Sequence, residues 1–480
     1  MKKLIALTAL LLTDNSFAND FEAYKSGFKT YKNQQLQAYA DFKNERDRQF
    51  SEFLKSRWQA FEGEHIKPRV TLPIELPGND EDFAQQLKQY DDILNAPISA
   101  DVEPDLDFDS NIEELLNQQD QAFEEVAELE PLNTEITSIA VAAKATLNDL
   151  PKNIDSEDKI SKSWDVLAVT DYQPIVDALK KVQKTKKLSD WFMLELIETK
   201  VSSDVADESQ IAVVTWFYLL QMGYDVKIGL VSKQPGLMFH SKHDIYDQPF
   251  YLMDKKRYYQ RNRNLKGGVV TYLQNFDDGV KPLKLDFAKG TQWSSQYKSV
   301  STKGINVEVD LKYINYLKGH PKVELEHYFN APLNPQTISA LKKYWQPKLA
   351  GKSDYEKVSL LLRWVHKQFP HGSDEEQFGF KNYLTVEETV FYKASDCEDR
   401  SILMANLVKL FTDLDVVILS YQTHVAIGVE LESLPDSLYD RKQYAYEGKV
   451  YTVVDPSMVG SVVGREATKI PLDDMKIIKL

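Results

Sequence analysis

The chain has 480 residues, enough for two or three domains, and its 42% hydrophobic and 11% aromatic content can build true cores. A formal net charge of −15 argues against nucleic acid or an anionic membrane surface as a partner, because both demand clustered lysine and arginine. The single cysteine rules out an internal disulfide.

Residues 1–18 read as a secretory signal peptide. Lys2 and Lys3 form the charged region, Leu4 to Leu12 the apolar one, and Ser16-Phe17-Ala18 the cleavage site. Cleavage would leave an exported chain, periplasmic or secreted, with no transmembrane segment. The later apolar stretch from Ile211 to Met222 is too short to span a bilayer and reads as a buried helix.

Residues 19–66 read as a long helical or coiled-coil segment. Phe21, Tyr24, Phe28 and Tyr31 recur at three- and four-residue steps, and Tyr39, Phe42, Phe50, Phe53, Trp58 and Phe61 continue the stripe less regularly. Such a stripe packs on its own chain or on a protein partner, and the sequence leaves both open. Residues 67–155 begin with Pro68, Pro73, Pro77 and Gly78 and then turn acidic, which reads as a partly flexible linker.

Residues 156–290 read as an α/β accessory domain, with Trp164, Trp191 and Trp216 in helical patterns before the strand Val226–Val231. A shift of 190 positions lays Asp225-Val226-Lys227-Ile228 on Asp415-Val416-Val417-Ile418. It also sets Asp207 against Cys397 and Gln234 against His424. The offset suggests a degenerate second copy of the C-terminal unit, although two unrelated helix–strand units would give the same pattern. Residues 291–350 carry bridging strands, Ile305–Asp310 and Val323–Glu326, and a helix from Leu333 to Leu349. Residues 351–480 form the last domain, entered through a helix from Ser353 to Phe369.

That last domain holds the chemistry. Ser395 can cap a helix that begins Asp396-Cys397-Glu398-Asp399, so Cys397 should sit at the N-terminus of a buried helix. The helix dipole there favours thiolate, whereas the two adjacent carboxylates oppose it. A strand from Tyr421 to Glu430 carries His424 on one face with the small residues Ala426 and Gly428. A second strand from Val450 ends at Asp455-Pro456, where proline stops the ladder. Cys, His, Asp is the order of a thiol nucleophile, its base and the group that orients the base.

These three motifs resemble the transglutaminase-like superfamily, a branch of the papain-like cysteine enzymes. The resemblance covers about residues 350–465 and includes the helix around Leu362-Arg363-Trp364-Val365 and the loop Asp374–Gly379. Ser395 departs from it, standing where many members have glycine. It implies an α+β fold with a nucleophile helix packed on an antiparallel sheet, and a catalytic triad of Cys397, His424 and Asp455. It further implies a protein or peptide substrate attacked at an amide, by hydrolysis or acyl transfer, with no cofactor. The backbone N–H of Cys397 is one oxyanion donor to expect. Gln377 is another candidate, or only a brace for its loop. A non-catalytic scaffold that binds a partner through the N-terminal helix is the competing reading. The pairs His240/His243 and His366/His371 lack zinc-ligand spacing, so the sequence indicates no metal.

Overall fold

The computed structural model describes residues 28–35, 37–38, 40–67, 147–287, 297–302, 305–392, 394–432, 434, 441–457, 462–465 and 475–480. The signal peptide, most of the acidic linker and the aromatic positions Phe21, Tyr24 and Tyr39 lie outside them. The fold is α+β, mixing helices with antiparallel sheets.

The first half begins with helix α1 (residues 40–54) and the short strands β1 (Trp58–Phe61) and β2 (Gly63–His65). Helices α2 (Glu157–Ala168), α3 (Gln173–Lys186), α4 (Asp190–Asp204) and α5 (Glu208–Gln221) follow. Next come strands β3 (Val226–Val231), β4 (Gln234–His240), β5 (Pro249–Met253), β6 (Lys256–Gln260) and β7 (Val269–Tyr272). A two-stranded hairpin, β8 (Tyr297–Thr302) and β9 (Ile305–Asp310), leads through α6 (Leu311–Gly319), α7 (Leu325–Phe329) and α8 (Pro335–Leu349) to the second half. There α9 (Asp354–Gln368), α10 (Asp374–Phe378), α11 (Val386–Phe391) and α12 (Cys397–Phe411) precede a second sheet. Its strands are β10 (Val416–Ser420), β11 (Val425–Val429), β12 (Gln443–Tyr446), β13 (Lys449–Val454) and β14 (Lys476–Lys479).

The two sheets share one connectivity. The first runs β1-β7-β3-β4-β6-β5-β2 and the second runs β14-β10-β11-β13-β12 when read in the same direction. In the five strands common to both, the first pairs with the second and the fifth, the second with the fourth, and the fourth with the third. All of these pairings are antiparallel. A buried helix immediately precedes each set, α5 before β3 and α12 before β10. Each sheet buries one face in the large core that contains Trp216, Phe239, Ile402 and Val454. The opposite face carries a smaller cluster, Val231, Met238 and Tyr258 in the first sheet and Val417, Leu419 and Tyr451 in the second. Burial on both faces explains why β3 and β10 read as nearly continuous apolar runs.

Three boundaries differ from the sequence expectation. The helix expected over 19–66 gives way to strand after residue 54, where the Trp58 indole donates to the Leu54 carbonyl at 2.6 Å. Trp58 then stacks edge-on against Tyr272, 5.7 Å between centroids, and β1 pairs with β7, so tertiary pairing overrides the helical period. Leu147, Leu150 and Ile154, assigned to the linker, are buried in the core. Val323–Glu326, expected as a strand, instead leads into α7, because Leu325, Tyr328 and Phe329 bury one helical face.

The aromatic stripe divides. Phe50 is buried against Trp164 and Phe276, with centroids 4.7 and 5.1 Å away, and Leu54 is also buried. Phe28, Tyr31 and Phe42 are exposed. The end of the stripe is therefore core of this chain.

Candidate functional site

Helix α12 starts with a capping box. Asp396 Oδ1 accepts from the backbone N–H of Glu398 at 3.1 Å and of Asp399 at 3.4 Å, and Asp399 Oδ2 accepts from the Asp396 N–H at 3.1 Å. The cap is thus Asp396 and not Ser395. Ser395 lies one residue earlier in an extended segment, where its N–H donates to the Pro370 carbonyl at 3.1 Å. Every residue from Cys397 to Val408 is buried. The helix packs on β11, α9, α11 and α7, and Ser401 Oγ donates to the Val425 carbonyl at 3.0 Å. That bond ties the helix, one turn beyond Cys397, to the residue after His424.

His424 follows the two-residue turn between β10 and β11, with its carbonyl accepting from the Tyr421 N–H at 2.9 Å. Its Nε2 lies 2.9 Å from Asp455 Oδ2, and both side chains are buried. Asp455 stands one residue past β13. Its Oδ1 accepts from the Ser457 N–H at 3.0 Å and from Ser457 Oγ at 2.5 Å. Burial pushes the Asp455 carboxyl up, but His424 and the Ser457 hydrogen bonds outweigh it and hold the group below its ordinary value. Nε2 is the ring nitrogen that faces Asp455.

Cys397 is 4% exposed and its Sγ donates to Glu398 Oε2 at 2.8 Å. Burial, then the charges of Glu398 and Asp396, push the thiol well above its ordinary value. Among the described residues the thiol's hydrogen bond is to Glu398 and none joins it to His424. The structure therefore brings His424 and Asp455 together as a dyad and holds Cys397 on a carboxylate.

Lys381 balances that carboxylate. Its Nζ lies 3.0 Å from Glu398 Oε1, 3.0 Å from Asp374 Oδ2 and 2.5 Å from Asp396 Oδ2. Burial and the neighbouring Asp396 charge push the Glu398 and Asp374 carboxyls up, and Lys381 pulls them back. Asp396, Cys397 and Glu398 gather metal-type donors, but the Lys381 ammonium already supplies the positive charge there. Sequence reasoning missed Lys381, because no period or motif connects it to residues 15 and 17 positions downstream. Arg400 is a second buried cation beside the site, with Nε 3.3 Å from Ser395 Oγ and Nη2 bonded to the Phe369 carbonyl.

Gln377 lies on α10, so the expected loop Asp374–Gly379 is a short helix capped by Ser373. Its Oε1 accepts from the Ala394 N–H at 3.1 Å. This contact braces the segment that enters α12.

The first sheet places different residues at the matching positions. Gln234 follows the two-residue β3–β4 turn as His424 follows the β10–β11 turn. Met238 pairs with Gln260 and Gly428 with Val453, so Asn262 and Asp455 stand alike two residues farther on. Both accept a hydrogen bond from the backbone N–H two residues ahead, Asn264 in one case and Ser457 in the other, each at 3.0 Å. At the helix, Asp207 is the cap and accepts from the Ser209 N–H at 2.9 Å. It thus matches Asp396 rather than Cys397, and Glu208 takes the cysteine position. The one-residue slip arises because α5 has 14 residues and α12 has 15. Asp207, Glu208, Gln234 and Asn262 line a cavity of about 460 Å³ together with Ile211 and Leu237.

No helix among the described residues is long and apolar enough to cross a membrane. No family model matches the chain, and neither a curated protein nor a solved structure is significantly similar to it.

Proposed function

We propose that the protein is a transglutaminase-like thiol enzyme that acts on an amide of a protein or peptide, and that it works after export to the periplasm or medium. The observation that carries this reading is the buried His424–Asp455 pair at 2.9 Å, set beside a helix whose first residue is the only cysteine. A buried ion-pair-type contact is costly to retain for stability alone, whereas an oriented imidazole beside a thiol is the working part of an acyl-transfer site.

The chemistry follows from the atoms. Because the resting thiol is protonated, His424 Nδ1 serves as a general base rather than as half of a standing ion pair. The Cys397 proton passes to it as sulfur attacks the carbonyl carbon, and Asp455 stabilises the imidazolium that results. The oxyanion meets the Cys397 N–H at the positive end of α12. Imidazolium then protonates the leaving amine, and a thioester remains on Cys397. Water releases an acid from it, while an amine gives a new amide. In this reading the first sheet and α5 are a second copy of the unit that has lost nucleophile and base.

A non-catalytic scaffold is the second reading, favoured by the thiol's burial and its hydrogen bond to Glu398. The two separate on turnover. Purified wild type, Cys397→Ser and His424→Ala are incubated with a denatured protein and a fluorescent primary amine, and peptide release and amine incorporation are read together. Either product in wild type and neither in both variants supports the enzyme. No product from correctly folded wild type supports the scaffold.

A further inference from the structure

His243, in the segment after β4, meets Glu324 and His327 at α7. Glu324 Oε2 is 3.3 Å from His243 Nδ1 and 3.7 Å from His327 Nε2, and the three donor atoms lie within 4.8 Å of one another. A tetrahedral zinc ion with bonds of about 2.0–2.1 Å separates its ligands by roughly 3.4 Å, so these spacings leave room for one ion between the donors. The second carboxylate oxygen, Oε1, is fixed by the Asp244 N–H at 2.7 Å, which directs Oε2 at the imidazoles. Such a fixing bond is the outer-shell support that metal carboxylates use.

An ordinary His–Glu ion pair explains one histidine and not the second. The two rings stand edge to face with centroids 4.2 Å apart, where two imidazolium charges would repel.

We infer that His243, Glu324 and His327 bind one first-row divalent metal ion, zinc being the case the spacing fits. All three side chains are only partly buried, so a fourth position opens to water. Nitrogen-rich donors with one carboxylate suit zinc, nickel or copper over magnesium or calcium. The ion's structural consequence follows from its ligands. The Tyr246 N–H already donates to the Lys322 carbonyl at 2.8 Å beside the site, and the Phe329 carbonyl at the end of α7 accepts from Asn406 of α12 at 3.5 Å. The ion would therefore clip the first sheet to the helix that packs on the nucleophile helix. This inference does not depend on the catalytic reading.

The test is calorimetric titration of chelator-stripped full chain with zinc chloride alone, together with thermal melting with and without zinc. One ion per chain is expected, with a melting temperature raised by zinc. His243→Ala and His327→Ala should each weaken binding by more than the roughly 100-fold typical of losing an outer-shell partner, and abolish the thermal shift. Cys397→Ser should bind as wild type does, which separates this site from the Asp396–Cys397–Glu398 donors. Should an alanine variant fail to fold, Glu324→Gln, nearly isosteric, decides by the same loss. Zinc binding that is absent in wild type, unchanged in the folded variants, or lost only in Cys397→Ser overturns the assignment.

Discussion

Replacing Glu398 by glutamine should lower the pKa of the Cys397 thiol. The thiol sits 2.8 Å from Glu398 Oε2. Two unit charges at that separation, in a medium of effective dielectric about 20, repel by roughly 6 kcal/mol. Lys381, 3.0 Å from the other Glu398 oxygen, attracts the thiolate in wild type and variant alike and so drops out of the difference. The Coulombic figure, about 4 pKa units, is therefore the upper bound on the fall. Burial is the larger cause of the raised value and is untouched by the substitution, so the thiol should stay above its ordinary range. Glutamine keeps the shape and an acceptor oxygen, which limits repacking. The ultraviolet absorbance of the thiolate against pH reads the change directly, because the chain has one cysteine. Alkylation by iodoacetamide at pH values between the two midpoints should accelerate in parallel. A midpoint that is unchanged or higher in Glu398→Gln would refute the electrostatic argument.

Four further outcomes are expected. Cys397→Ser should abolish amide turnover with little change in the denaturation midpoint; unchanged turnover would remove the thiol mechanism. His424→Ala should cost about 3–5 kcal/mol in chemical denaturation, since it removes the imidazole from the buried Asp455 carboxylate and leaves it the Ser457 hydrogen bonds; a loss under about 1 kcal/mol would count against this account. Burial raises fully buried Glu387 from 4.5 to about 7, so the folded chain holds that proton more tightly and the associated stability, full below pH 4.5, is lost as pH rises to about 7. Glu387→Gln keeps an acceptor for the Asn334 N–H, 2.7 Å away, and should flatten that slope, gaining roughly 1–3 kcal/mol over wild type at pH 8; equal melting curves at pH 5 and 8 in both proteins would contradict it. Phe50→Ala should destabilise by about 3–5 kcal/mol, because the ring touches Trp164, Tyr272 and Phe276; a neutral result would mean that α1 contributes nothing to the core.

Much of the second half was legible because its signals are local. The run after Cys397 has helical spacing, and α12 begins at that residue. Asp455-Pro456 marks a ladder end, and β13 stops at Val454. The His424–Asp455 contact follows once β11 and β13 pair; the sequence marks both segments as strands but does not give that pairing. What stayed hidden depends on separations that no period encodes. Lys381 reaches Asp374, Asp396 and Glu398 only when the α10–α11 segment folds back on the helix start. His243 meets Glu324 and His327 across some 80 residues of chain, so counting histidine spacings along the sequence could not pair them. The strand character of Trp58–Phe61 was masked by aromatic spacing that suits either structure, and pairing with β7 decided it.

The two helix-and-sheet units share features of the scaffold and differ at Cys397, His424 and Asp455. An aspartate caps both helices, Asp207 and Asp396, and each accepts from the N–H two residues ahead. The cap carboxylate is therefore a requirement of the helix start and needs no catalytic explanation. The turn at Asn262 and at Asp455 likewise recurs with the same backbone hydrogen bond, so a side-chain oxygen there closes the end of the strand in both units. Asparagine meets that need as well as aspartate. Only the negative charge of Asp455 exceeds it, and that charge faces His424 at 2.9 Å. Gln234 at the histidine position and Glu208 at the cysteine position are exposed polar residues beside an open cavity, whereas His424 and Cys397 are buried. The same connectivity thus holds a solvated polar cleft in one half and, in the other, a buried His424–Asp455 pair and a buried Cys397 bonded to Glu398.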